Sequence, residues 1–84
     1  MRNNVKRIRM QKTGFGWWML NNMDERGWSC TDVAEKLHTT RQSVNNHTYG
    51  KNKPSYMQVV AYCWVFDFKD NPDDIWELVQ GEES

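Results

Sequence analysis

The amino-acid sequence predicts an all-α protein, a compact bundle of five helices. Three observations lead to this fold class. Apolar residues recur at the three- and four-residue spacing of amphipathic helices, good N-cap residues precede several of these segments, and glycine or proline separates them. The chain has 84 residues, which suits one small domain with a modest core. We expect residues 13–80 to form this domain, with a basic arm at residues 1–12 and a short tail at residues 81–84.

The arm and the first helix are separated by a glycine-rich segment. The arm contains five cations and no acid, and the sequence leaves open whether it is flexible or forms a short strand. The glycines within residues 13–16 are predicted to interrupt regular structure. Helix 1 then covers about residues 17–26, with Met19, Leu20 and Met23 facing inward. Gly27 ends it, because a helix commonly stops at a residue with a left-handed backbone.

Helix 2 is short and begins after Ser29, which is a favourable N-cap. Asp32 stands in its first turn, where an acid interacts well with the helix dipole. The apolar stripe of this helix consists of Val33, Ala34 and Leu37. The helix is therefore expected to end near Leu37.

Helix 3 follows after a tight turn that contains His38. Either Thr39 or Thr40 caps the helix, which is predicted to reach about residue 49 before Gly50 stops it. A basic loop follows Gly50 and is closed by Pro54.

Helix 4 is predicted from the cap Ser55 to about residue 66, and it is apolar on both sides. One face contains Met57, Val60, Ala61, Trp64 and Val65, and the opposite face contains Val59, Tyr62, Cys63 and Phe66. Because such a helix must be covered on both sides, either the last helix or a second subunit lies on the outer face.

Helix 5 starts at Asn71-Pro72, where a cap precedes a proline at the first helical position. Two acids in the first turn strengthen this assignment. We expect its inward residues to be Ile75, Leu78 and Val79, with fraying at Gly81.

Several classes of function are not expected from the composition. No apolar run approaches the ~18 residues of a membrane span, and the N-terminal cations are not followed by the apolar stretch of a secretory signal. Cys30 and Cys63 are too few and too far apart for a disulfide framework, which fits a reducing cytoplasm. Together with His38 and His47 they lack the spacings of zinc sites. We expect no enzyme, metal, cofactor or small-molecule ligand.

The charges separate along the chain although the net charge is zero. Residues 1–53 contain ten cations and four acids, whereas residues 54–84 contain one cation and seven acids. A molecule of this kind can turn its basic part toward phosphates and its acidic part away. Chance segregation of charge along a short chain is the alternative.

Helix 3 separates its polar and apolar residues. At ~100° per residue, five side chains that can make hydrogen bonds fall within roughly 140°: Arg41, Gln42, Asn45, Asn46 and Tyr49. Ser43, Val44 and His47 fall on the other side. Asn and Gln amides pair with adenine N6 and N7, and arginine donates two bonds to guanine O6 and N7. This composition predicts a helix that reads base edges in the DNA major groove.

This part of the chain resembles the helix-turn-helix repressors and Cro proteins of lambdoid phages, an XRE-like family. The resemblance is close over residues 27–54 and otherwise limited to the number of helices. It rests on Val33, Ala34 and Leu37, on T-T-x-Q-S-V from Thr39, and on G-K-x-K-P from Gly50. It implies a phage-repressor-like helix-turn-helix fold, a DNA face at Thr40, Arg41, Gln42 and Asn46, and a loop from Lys51 to Lys53 along the phosphates.

Three residues depart from the family pattern. His38 replaces a turn glycine, although histidine tolerates a left-handed backbone better than most residues. Cys30 replaces a glutamine that reaches a phosphate, which leaves that anchor in doubt. His47 replaces an apolar residue and is either a neutral core histidine or partly exposed.

Together these observations assign roles to three groups of residues. The residues expected to read bases are Thr40, Arg41, Gln42, Asn45 and Asn46. Those expected to contact the DNA backbone are Ser43, Tyr49, Lys51, Asn52 and Lys53. The arm residues are either phosphate or minor-groove contacts or part of a solubilising tail: Arg2, Lys6, Arg7 and Arg9.

The expected function is a sequence-specific transcriptional regulator of phage or prophage type, located in the cytoplasm. It would bind double-stranded DNA at a palindromic operator as a homodimer formed through helices 4 and 5. The alternative is a protein-interaction module on the same scaffold, such as an antitoxin-like partner or a phage adaptor. Its acidic second half and exposed aromatic residues would then form the working surface.

Overall fold

The described part of the chain, residues 14–81 of a computed structural model, is entirely helical outside its turns and contains five α-helices. They are α1 (Gly14–Arg26), α2 (Cys30–Leu37), α3 (Arg41–Thr48), α4 (Tyr56–Val65) and α5 (Pro72–Gly81). This confirms the all-α, five-helix fold class. The arm at residues 1–12 and the last three residues lie outside the described residues.

Contacts between the helices place the core at the centre of the bundle. Helix α3 packs against α2 and α1, while α4 packs against α2 and α5, and α5 also contacts α1. The core side chains share near-complete burial: Phe15, Met19, Met23, Val33, Ala34, Val44, Val59, Tyr62, Cys63, Val65, Phe66, Ile75 and Val79. Because both α1 and α2 pack against α3, the position of α3 is fixed by contacts with two helices.

Helix α1 begins three residues earlier than predicted, so the expectation of a break at residues 13–16 was wrong for Gly14 to Gly16. Phe15 lies one helical turn before Met19 and two turns before Met23, and all three side chains are buried. A glycine inside a helix costs about 1 kcal/mol relative to alanine. Burial of a phenylalanine contributes about 1.5–3 kcal/mol, which is more than that cost.

Both predicted serine caps are confirmed. The Ser29 hydroxyl accepts a hydrogen bond from the Asp32 amide, and the Asp32 carboxylate accepts one from the Ser29 amide at 2.8 Å. Ser55 and Gln58 make the same reciprocal pair at the start of α4. These bonds satisfy amides that would otherwise have no partner at a helix start.

Four helices end through a residue with a left-handed backbone. These residues are Gly27, His38, Gly50 and Asp67, whose φ angles lie between 57° and 81°. The amide that follows each of them donates to the carbonyl five positions earlier, over 2.7–2.9 Å. This is the Schellman arrangement, which satisfies carbonyls at a helix end. The prediction that Gly27 and Gly50 stop their helices is therefore confirmed.

One prediction about inward residues was wrong, and one of the two covers left open for helix 4 is not the one found. Leu78 is 37% exposed, whereas Ile75 and Val79, one turn apart, are buried against the core. On the outer face of α4, Met57 is 70% and Trp64 is 56% exposed. Helix α5 therefore does not cover this face, because α5 packs beside it through contacts such as the Tyr56–Trp76 edge-to-face pair.

An aromatic cluster joins the end of α1 to the end of α4. The Trp18 ring meets Phe66 edge to face at 5.4 Å between centroids, and Trp28 stacks on the same ring at 6.1 Å. The Arg26 guanidinium lies over Phe66 and donates to the Phe66 carbonyl at 3.1 Å. Asp70 accepts from the Trp18 indole at 2.8 Å. These contacts hold together segments that are far apart in sequence.

Candidate nucleic-acid interface

Helices α2 and α3 form a unit joined by a turn of three residues, His38 to Thr40. His38 adopts a left-handed backbone with φ 57°, in the turn where the sequence placed it. Val33 and Ala34 on α2 and Val44 on α3 are buried at the contact between these helices and the core. The small Ala34 side chain suits this close contact. The turn and these apolar residues set the direction in which α3 presents its polar side.

The cap of α3 is Thr40 rather than Thr39. Its hydroxyl accepts from the Ser43 amide and donates to the Ser43 hydroxyl, each over 3.1 Å. The Thr40 hydroxyl is thus largely engaged within the helix start. Ser43 keeps its own hydroxyl proton for an external acceptor such as a phosphate oxygen. Both residues lie at the exposed beginning of α3, close to Arg41 and Gln42.

The polar arc of α3 faces outward as predicted. Arg41 and Gln42 are exposed, and Asn45, Asn46 and Tyr49 are half-buried. Within residues 14–81, the side chains of Arg41, Gln42, Asn45 and Asn46 make no hydrogen bond or salt bridge. A guanidinium that donates hydrogen bonds and three amides that donate and accept them therefore stand together without a partner in the described residues, as direct readout of bases requires.

Three residues on the inner side of α3 are buried: Val44, His47 and Thr48. Val44 is fully buried, and Thr48, one turn later, is equally buried and donates its hydroxyl to the Val44 carbonyl at 2.8 Å. Sequence reasoning missed Thr48. Its position four residues after Val44, on the same helix face, was the signal that could have identified it.

His47 is a core histidine, and this decides between the two alternatives left open by the sequence. It is 8% exposed, and its Nδ1 forms a 2.7 Å hydrogen bond with the hydroxyl of buried Tyr62. Burial lowers the pKa of His47, so the ring is neutral at pH 7. Burial also raises the pKa of Tyr62, so its hydroxyl keeps its proton. The pair connects α3 to α4 by a directional bond between two neutral groups.

The loop after α3 is tied to the end of that helix. The amides of Lys51 and Asn52 both donate to the Asn46 carbonyl, at 2.9 and 3.3 Å. Gly50 provides the left-handed turn with φ 81°, and Pro54 is buried. The side chains of Lys51, Asn52 and Lys53 are exposed. Two cations therefore stand at a defined position next to the outward side of α3.

The segment of the chain that forms this surface contains cations and no acid. No acidic residue occurs between Glu35 and Asp67, an interval that includes all of α3, the loop and α4. The described acids of the second half lie before and along α5, where Asp70 binds Trp18 and Asp73 accepts from Tyr56 at 2.7 Å. Within residues 14–81, no acidic side chain forms a salt bridge with Arg41 or Lys51.

Cys30 is the first residue of α2. It is half-buried against the core, and burial raises its pKa, although Arg41 and Thr48 partly oppose this shift. Its thiol is therefore part of the contact between α2 and α3. Burial also raises the pKa of Cys63 to about 11.

Three further observations concern other kinds of site. No three His, Cys, Asp or Glu side chains in residues 14–81 come together in a way that could hold a metal ion. None of the helices α1 to α5 is long and apolar enough to cross a membrane. The predicted arm contacts Arg2, Lys6, Arg7 and Arg9 lie outside the described residues.

Comparisons with protein-family models, curated proteins and solved structures found no match to this chain.

Proposed function

We propose that this protein binds a specific DNA sequence through α3 and regulates transcription from the site it occupies. The observation that carries the proposal is a group of polar side chains, Arg41, Gln42, Asn45 and Asn46, that have no hydrogen-bond partner within residues 14–81. They lie on a helix whose other side is fixed in the core. Rigid placement matters because base readout needs hydrogen-bond geometry that a mobile helix does not provide.

The surrounding charge supports the same function. Lys51 and Lys53 extend the positive surface beyond α3, and no acid lies between them and α3 in the sequence. Phosphate contacts by such residues would position the protein without reading sequence. Resemblance to lambdoid repressors adds the expectation of a palindromic operator bound by two copies, with repression through occupation of a promoter.

The test is selection of bound duplexes from a randomised DNA library by the native protein and by an Arg41→Ala/Gln42→Ala variant. The native protein is expected to enrich a consensus, and the variant to lose preference at the affected base pairs by about 1–3 kcal/mol for each pair read. Gln80→Ala, an exposed change on α5, serves as the matched control and should retain the consensus.

Lys51→Ala distinguishes phosphate contacts from base contacts. This variant is expected to weaken binding to all duplexes alike and to lower the slope of log K against log salt by ~0.9. Equal losses on every sequence for both the Arg41/Gln42 and the Lys51 variants would contradict base reading by α3. Absence of any salt-dependent duplex binding would contradict the proposed function as a whole.

A protein-interaction module is the second candidate function, and exposed aromatic residues favour it. Trp64 and Phe68 are both more than half exposed and lie next to acids at the end of α4. Such a module would bind a protein partner and show little specific DNA binding. The duplex selection separates the two functions, because only the regulator enriches a consensus.

A further inference from the structure

A cleft opens where the end of α2, the turn, α3 and α4 meet, on the side of α3 away from its polar arc. Its volume is about 130 Å³, and one side is open to solvent. Leu37 and Ala61 form an apolar wall, and the hydrogen-bonded pair of His47 and Tyr62 forms the buried inner wall. A cavity of about 150 Å³ is large enough to hold benzene. The cleft therefore has room for a molecule of roughly that size.

Gln58 places a hydrogen-bond donor at this cleft, because the cap of α4 fixes its side chain. Its Oε1 accepts from the Ser55 amide at 2.8 Å, which identifies the oxygen end of the side-chain amide. The NH₂ end of Gln58 makes no hydrogen bond within residues 14–81. A residue that lines the cleft therefore keeps two N–H groups for an external acceptor.

Two hydroxyls complete the polar wall. The Ser43 hydroxyl accepts from Thr40 at 3.1 Å and keeps its own proton to donate. The Thr39 hydroxyl makes no hydrogen bond within residues 14–81 and can donate or accept. Together with Gln58, the wall offers two donors and one group that can also accept.

The charge of the cleft selects the charge of its ligand. None of the described residues that line it is an arginine, lysine, aspartate or glutamate. His47 is neutral at pH 7, because burial lowers its pKa. A carboxylate or an ammonium group that leaves water without an opposite charge loses several kcal/mol. A molecule that suits this cleft is therefore neutral.

We propose that the cleft binds a small neutral molecule with a carbonyl group on an apolar body, the class that includes lactams and simple amides. The carbonyl oxygen accepts from Gln58 Nε2 and Ser43 Oγ, and the amide N–H donates to Thr39 Oγ1. The apolar carbons pack against Leu37 and Ala61. This departs from the expectation of no small-molecule ligand, which rested on composition, because the walls of the cleft come from segments that are separate in the sequence.

The position of the cleft gives its occupancy a structural consequence. A bound molecule contacts the turn, α3 and α4 at once, through Thr39, Ser43 and Gln58. It thereby adds a second connection between α3 and α4 beside the bond of His47 to Tyr62. Occupancy of the cleft therefore restrains the attachment of α3 to the rest of the bundle.

An NMR titration of the ¹⁵N-labelled full chain with 2-pyrrolidinone, in the absence of DNA, tests the proposal. This lactam is about as large as benzene and is neutral. We expect saturable shifts of amide signals from the turn, α3 and the first half of α4, with a dissociation constant on the order of 1 mM for so small a ligand. Absence of saturation, or shifts confined to other parts of the chain, would mean that the cleft holds only water and would overturn the proposal.

Two charged molecules of similar size test the ligand class. Isobutyrate offers acceptors but carries a negative charge, and pyrrolidinium has the same ring size without the carbonyl and carries a positive charge. Neither is expected to reach saturation over the range in which 2-pyrrolidinone does. Tighter binding of either ion than of the lactam would overturn the assignment of a neutral carbonyl compound.

Two variants test the placement of the ligand. Gln58→Glu keeps an oxygen for the Ser55 amide but replaces the donor by a second oxygen, so binding should weaken by about tenfold. Ala61→Leu should abolish binding by filling the cleft. Gln80→Glu makes the same change of charge at an exposed position of α5 and is the matched control, which should bind as the native protein does.

The amide spectrum of each variant shows whether it is folded before ligand is added. Folded Gln58→Glu protein that binds the lactam as tightly as the native chain would overturn this placement. The titration contains no DNA, so its failure leaves the proposed function intact. Equally, a protein that selects no DNA sequence can still bind the lactam.

Discussion

Replacement of Tyr62 by phenylalanine is expected to loosen the attachment of α3 to α4. The variant keeps the ring but removes the hydroxyl that bonds His47 Nδ1 at 2.7 Å. His47 is buried, so its ring nitrogen loses a partner that water does not readily replace. A buried polar atom left without a partner costs about 1–3 kcal/mol.

This loss is large for so small a protein. At roughly 0.05–0.15 kcal/mol per residue, a chain of 84 residues has about 4–13 kcal/mol of stability in total. The expected loss would lower the melting temperature by about 4–8 °C for each kcal/mol. Urea denaturation at pH 7.5 measures the loss directly through a shift of the midpoint at constant m-value.

A double-mutant cycle with His47→Leu isolates the hydrogen bond from other effects. His47→Leu and Tyr62→Phe are each expected to destabilise the protein, while the double variant should lose less than the sum, because both polar partners are then gone. The expected coupling is about 0.5–3 kcal/mol. Additive losses, or a Tyr62→Phe variant as stable as the native protein, would refute the assignment of this bond as the connection between α3 and α4.

Three further predictions follow from pKa values and backbone geometry. Burial lowers the pKa of His47 below its unfolded value of 6.5, so the contribution of this residue to stability is full above pH 6.5 and decreases as the pH falls toward the folded pKa. Urea denaturation at a series of pH values should therefore show the free energy of unfolding of the native protein falling over this range. The His47→Leu variant should lack this dependence. His38→Gly should raise stability by about 0.5–1 kcal/mol in thermal denaturation, since glycine relieves the left-handed strain at φ 57°; unchanged or lower stability would contradict that strain. Burial raises the pKa of Cys63 to about 11, so at pH 8 its thiol should react with a thiol reagent only after the protein unfolds. Rapid labelling of Cys63 in the native protein would contradict this burial.

Local chemistry allowed most helix boundaries to be predicted from the sequence. Ser29 and Ser55 make their caps with residues three positions away, and Gly27 and Gly50 end helices through bonds spanning five residues. Such interactions depend on neighbouring residues alone. The outward polar arc of α3 was predictable for the same reason, because helical periodicity places Val44 on the side of the helix opposite Gln42, independently of distant segments.

Residues whose environment depends on distant segments were not predictable in this way. The start of α1 at Gly14 depends on Phe15 packing against Tyr62, 47 residues further along the chain, where the ring centroids are 5.8 Å apart. To predict that Leu78 is exposed, one would have to know which side of α5 packs against α1 and α4. The choice between the two states of His47 depended on whether a hydroxyl from another helix reaches its ring.

The sequence by itself determined that this chain forms five helices and which side of α3 is polar, because capping, turn conformation and helical period act over a few residues. Only the tertiary structure decided that His47 is held by Tyr62, that Thr48 is buried beside Val44, and that Trp64 remains exposed. Those outcomes depend on how helices that are distant in sequence pack together. A pattern of apolar residues predicts that a helix face is buried, but it does not identify the segment that buries it.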